Sequence, residues 1–152
     1  MYKNIIDFVE SKIEGFKRPE IVFGEGFTYG VNSRDISVPE EYITSIEDQH
    51  WWKNFMMKYL MVEYGLILTE QDNYTFSLLH EIGHYITLEG IPSNVIHYSY
   101  DKDVMKIQRA ETSYEYEKGY REITIEKMAD LWAIDFIETY PEVLDLNKIS
   151  LQ

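Results

Sequence analysis

Apolar residues recur at helical spacing at the start of the chain, where Ile5, Ile6, Val9, Ile13 and Phe16 form one stripe interrupted by Asp7, Glu10 and Glu14. This pattern predicts a helix over residues 2–16, which Pro19 helps to end. The period then changes. Residues 21–39, IVFGEGFTYGVNSRDISVP, are rich in β-branched and aromatic side chains and punctuated by Gly24, Gly26 and Gly30, so short strands are expected, closed by Pro39. A longer helix is predicted from about Glu47 to Glu63, with Gly65 as its stop. Asp72 and Asn73 offer N-caps for the next helix, and Gly90 followed by Pro92 marks its end. Residues 91–121 are polar and tyrosine-rich, with no period that assigns them. A last helix is predicted from about Glu122 to Thr139, before Pro141. No repeat, low-complexity tract or linker breaks the pattern, which reads as one α+β domain over residues 1–152.

Composition agrees with a folded core: of 152 residues, 45% are hydrophobic and 15% aromatic, with 13 Tyr and 7 Phe. No apolar run approaches the roughly 20 residues that span a bilayer, and the first stripe is too interrupted by acids for a signal peptide. There is no cysteine, so neither a disulfide framework nor a thiolate metal site is available. A soluble cytoplasmic protein is expected, with no membrane contact. The formal net charge of −13 opposes direct nucleic-acid binding, because a phosphate backbone would repel it. That charge reads first as a soluble surface; a basic protein partner, such as a DNA-binding regulator, is compatible with it.

Chemistry enters with the stretch TFSLLHEIGHYITLEG, residues 75–90, in which His80, Glu81 and His84 follow the order H-E-x-x-H. An α-helix turns about 100° per residue, so His84 lies about 40° and Glu81 about 100° from His80 on one arc. Leu78, Leu79, Ile82, Tyr85 and Ile86 take the opposite side. Two neutral imidazoles one turn apart can converge on a single Zn²⁺ ion. Glu81 is then placed to take a proton from the zinc-bound water and pass it to a leaving amine.

Catalytic zinc needs a third protein ligand. The extension H-E-x-x-H-x-x-G-x-x-H is excluded, because Thr87 stands where glycine is required and Gly90 where the ligand would be. The other common arrangement takes a glutamate from a second helix, with an aspartate four residues on. Glu126 and Asp130 in EITIEKMADLWAIDFIETYP meet that requirement, and Ala129 and Ala133 on the same face would allow close helix approach. Glu126 would ligate, and Asp130 would accept the free ring N–H of a ligand histidine. Glu122, one turn earlier on the same face, is the rival third ligand.

YTFSLLHEIGH followed by EKMADLWA resembles the ImmA/IrrE family of zinc peptidases. Phe76, His80, Glu81, Gly83 and His84 fit its F-T-x-x-H-E-x-G-H element. Glu126, Ala129 and Ala133 fit its E-x-x-A-N-x-F-A element, with Asp130 where Asn is usual and Trp132 where Phe is usual. The strand-like ISVP, residues 36–39, is similar to the strand that precedes the family's motif helix. The resemblance implies a gluzincin-like, thermolysin-like minimal α+β metallopeptidase fold. It also implies one zinc ion on His80, His84 and Glu126, Glu81 as catalytic base, and a protein substrate of the kind known members cleave, transcriptional repressors of mobile elements or stress responses.

Four further residues are candidates for contacts to substrate or to the charge developing in the transition state: His97, Tyr114, Tyr116 and Tyr120. The length of the 91–121 connection favours a functional role for it. His50, beside Trp51 and Trp52, is expected in helix contacts rather than at a second metal. The leading reading is an intracellular zinc endopeptidase. The alternative is a non-catalytic module that binds a regulator, with a structural or vestigial metal site.

Overall fold

The structure, a computed structural model, describes residues 1–41 and 46–148. It is an α+β fold, predominantly helical, with one small three-stranded sheet. Helix α1, Tyr2–Lys12, buries Ile5, Ile6 and Val9. It is shorter than the stripe predicts. Ile13 is already extended and Gly15 takes a positive φ of 75°, so the chain turns and Phe16 meets the edge of the Tyr85 ring instead of continuing the helix.

Strands β1 (Ile21–Gly24), β2 (Thr28–Tyr29) and β3 (Ile36–Pro39) follow, in the spatial order β1-β3-β2. β3 is central, parallel to β1 (Ile21 opposite Ile36) and antiparallel to β2 (Tyr29 opposite Ile36). Its Ile36 and Val38 enter the core. This arrangement leaves β2 as an edge strand beside the motif helix.

The predicted long helix is present in three parts: α2 (Ile46–Trp51), a π-helical turn (Trp52–Met56) and α3 (Met57–Tyr64), stopped by Gly65 at φ 67°. Helix α4, Asn73–Thr87, carries the motif. Its expected N-cap is used differently. The Asp72 carboxylate accepts from the Thr69 N–H (2.8 Å) and hydroxyl (3.1 Å), closing a capping box on the preceding 3₁₀ turn, and does not cap α4.

Residues 91–121, unassigned by pattern, contain two helices, α5 (Ser93–Ile107) and α6 (Ser113–Glu122). Helix α7, Thr124–Thr139, begins two residues after the predicted start, because the chain bends at Ile123. The Thr124 N–H there is capped from α5, by the Asp103 carboxylate at 2.9 Å.

α4 and α7 make the most extensive helix pair. Gly83 is the reason they can approach so closely. A β-carbon there would lie 2.8 Å from the Ala129 carbonyl oxygen and 3.0 Å from its Cα, so main chain meets main chain. The larger apolar cluster fills the side behind α4, with Trp52, Met56, Leu60, Phe76, Leu78, Leu79 and Ile137 among its members. A smaller cluster of Leu88, Ile96, Ile123 and Ile125 joins α5 and the start of α7 to the end of α4. Among the described residues, no helix is long and apolar enough to cross a membrane.

Candidate metal centre

The apolar back of α4 holds Leu78, Leu79 and Ile82 in the core and turns His80, Glu81 and His84 toward α7 and a cleft. All three are buried, and one candidate ligand atom from each lies within 4.8 Å of the others. α7 brings Glu126 and Asp130 to the same place, one turn apart on its buried face. The Glu126 carboxylate spans the two rings, with Oε2 2.9 Å from His80 Nε2 and Oε1 3.3 Å from His84 Nε2.

These separations allow a test of fit. Ligands bonded to zinc at about 2.0–2.1 Å in a tetrahedron stand about 3.3 Å from one another. Each Nε2 stands near that spacing from one Glu126 oxygen, 2.9 Å for His80 and 3.3 Å for His84, and N/N/O is a donor set that zinc accepts. His80, His84 and Glu126 therefore fit the ion. Glu81 stands beside them on the same helix, its carboxylate within 4.8 Å of the histidine ligand atoms.

The two histidines are held by different means. His80 Nδ1 pairs with Asp130 Oδ1 at 2.7 Å, which directs its Nε2 lone pair toward the centre when the ring is neutral. His84 Nδ1 is buried with no hydrogen-bond partner among the described residues. Its ring instead lies over Tyr29 of β2, centroids 5.8 Å apart and planes within 24°.

Asp130 is itself gripped. Arg121, buried at the end of α6, donates from Nε to Asp130 Oδ2 (3.0 Å) and from Nη2 to Oδ1 (2.8 Å). The same Nη2 stands 3.7 Å from Glu126 Oε2.

Charge follows from this geometry. Burial pushes the Glu126 pKa up, but hydrogen bonds from both histidines outweigh it and hold the group well below the usual carboxylate range. Burial likewise raises Asp130, and the charges of Arg121 and His80 bring it down below its ordinary value. Glu81 has no such close donor. Burial raises its pKa, and the nearby histidines offset only part of that, giving a carboxylate more basic than usual. Burial alone would lower His80, yet the charge and hydrogen bond of Asp130, with Glu126 adding to them, push it up to about 10.

The cleft over these groups has a volume of about 460 Å³, within the common range for ligand sites. Its walls include Phe27 and Tyr29 from the sheet side, Trp51 from α2, and Ile96, Tyr100 and Tyr120 from α5 and α6.

Of the remaining sequence candidates, His97 and Tyr120 line this cleft. Burial, and then the charge of Glu126, raises the Tyr120 hydroxyl pKa. Tyr114 and Tyr116 do not line it. They are 58% and 42% exposed, with Tyr114 against the edge of Phe55 and Tyr116 stacked on the outer side of Tyr120. Glu122 is exposed and ends α6, so the bend at Ile123 puts it on a different helix from Glu126. His50 is exposed, while its neighbour Trp52 enters the core. Arg121 and Tyr29 also belong to the site, and the sequence pattern singles out neither. Arg121 has no local signal, because YRE in a polar segment looks like ordinary surface. Compared with known proteins, the chain matches no family model, and no curated protein or solved structure is significantly similar to it.

Proposed function

We propose that this protein is a zinc-dependent endopeptidase of the ImmA/IrrE type, acting on a protein substrate in the cytoplasm. The observation that carries the reading is the Glu126 carboxylate reaching both motif histidines at 2.9 and 3.3 Å, from a separate helix and beneath a cleft. His80, His84 and Glu126 would hold the ion. A zinc ion held there would supply Lewis acidity and a more acidic water at the site. Glu81 would accept a proton and deliver it to the leaving amine, a task suited to a carboxylate of raised pKa within the same pocket. Asp130 holds the His80 ring in orientation throughout. Tyr120 and His97, on the cleft wall, are positioned for substrate contacts. The resemblance in sequence suggests a DNA-binding repressor as substrate, and the net charge of −13 complements such a basic partner.

The test joins metal analysis to cleavage. Wild-type protein should carry one zinc per chain and cleave an unfolded basic protein in a chelator-sensitive way. Glu81→Gln should keep the zinc and lose the cleavage. A wild-type chain that takes up no zinc at stoichiometric supply would sink the reading.

A further inference from the structure

We infer that Arg121 is a positioning residue for this centre: by gripping both oxygens of Asp130, it fixes the acceptor that orients His80. The consequence for metal rests on the zinc reading above, while the orientation of the ring can be tested without it. Asp130 Oδ1 is shared between His80 Nδ1 at 2.7 Å and Arg121 Nη2 at 2.8 Å, and Oδ2 takes Arg121 Nε at 3.0 Å. A carboxylate on a single side-chain stem can rotate. One held through both oxygens by a planar fork cannot, so the direction of its remaining lone pair toward His80 is set by Arg121.

The fork is fixed in its turn. The guanidinium lies 5.8 Å from the Trp51 ring and 5.7 Å from the Tyr120 ring, and Arg121 is buried. Its Nη2 also faces Glu126 Oε2 at 3.7 Å, so one cation is directed at both carboxylates of the centre. Removing Arg121 alone leaves the Asp130 carboxylate buried with less compensation, so a loss of stability is expected whatever its role. The positioning role is therefore read from where Asp130 and His80 point in the folded variants, which a merely structural role would not change.

The experiment compares Arg121→Met, similar in reach without charge, and Arg121→Lys, which restores charge without a fork, in the full chain. Zinc affinity is measured by chelator competition, and coordination geometry by the visible absorption of the Co²⁺-loaded protein. R121M should bind zinc about 10–100-fold more weakly with altered Co²⁺ bands, and R121K should fall between it and wild type. A folded R121M with wild-type affinity and unchanged bands overturns the inference. Should R121M not fold, R121K decides, since equality with wild type in both readouts overturns it as well. Wild-type protein that takes up neither metal refutes the zinc reading separately. Orientation is then read from the His80 ring Nδ1–H resonance of the metal-free chain, expected in wild type and lost or shifted in the variants; an unchanged resonance overturns the inference.

Discussion

The cleft has a floor and a roof built in different ways. The floor is α4 against α7, where Gly83 and Ala129 bring the backbones together and Leu78, Leu79 and Ala133 are fully buried. The roof is α5 and α6, each of which buries one residue only, Ile96 and Arg121 respectively. Val95, Tyr98 and Met105 on α5 are exposed, while Tyr100, Val104, Ile107 and Tyr120 pack half-buried on the smaller cluster. Among the described residues, the floor carries His80, Glu81 and His84, the group that could hold a metal, with Glu126 against both histidines. The roof supplies aromatic wall and one buried cation. Position in the floor is set by the larger core, and position in the roof by the smaller apolar cluster around Ile96 together with polar ties such as Asp103 to Thr124 and Arg121 to Asp130.

That contrast can be broken most sharply at its two glutamates. Glu126→Ala, in the floor, should remove stoichiometric zinc, whereas Glu122→Ala, at the end of the roof helix, should leave it within about twofold of wild type by chelator competition, as a surface change does. The reverse order would move the third ligand to the roof.

Gly83→Ala comes next. Alanine gains about 1 kcal/mol in helix propensity over glycine, but its methyl would stand 2.8 Å from a main-chain carbonyl that cannot swing aside. Overpacking of this kind costs about 1–3 kcal/mol, so denaturant unfolding should show a net loss despite the better helix former. A more stable G83A would mean that the floor is looser than described.

The smallest effect is expected where roof and floor are tied. Asp103 of α5 caps the Thr124 N–H of α7, and that hydrogen bond holds its pKa below the ordinary value. A depressed carboxylate stabilises the fold above its unfolded pKa of about 3.9 and ceases to do so as pH falls through its lower folded value. Asp103→Ala should therefore cost about 0.5–1 kcal/mol at neutral pH. In thermal melts the gap between variant and wild type should shrink below about pH 4. A gap that stays constant down to pH 2.5 would argue against the cap.

The same contrast explains what could be read from the chain. α4 and α7 were legible because hydrophobicity and burial agree along them, with apolar backs and a polar front whose spacing follows the helix. His80, Glu81 and His84 share one face of α4, and Glu126 and Asp130 one face of α7, at spacings that the sequence itself displays. α5 and α6 were not legible, because exposed Tyr98 and Met105 and buried Arg121 reverse the usual relation of polarity to burial. The bend at Ile123 carries no glycine or proline; its cap comes from Asp103, 21 residues earlier, which no local rule could supply. For the same reason Glu122 looked like a neighbour of Glu126 on one helix face.

The unequal support of the two histidines has a mechanical consequence. A hydrogen bond such as that from His80 to Asp130 opposes rotation of the ring, whereas a stacked neighbour such as Tyr29 resists tilting and leaves sliding within the plane nearly free. The two rings are thus held unequally, one by a directional bond and one by a flat contact, so in the proposed centre any adjustment to the radius of an ion would fall on His84 rather than His80.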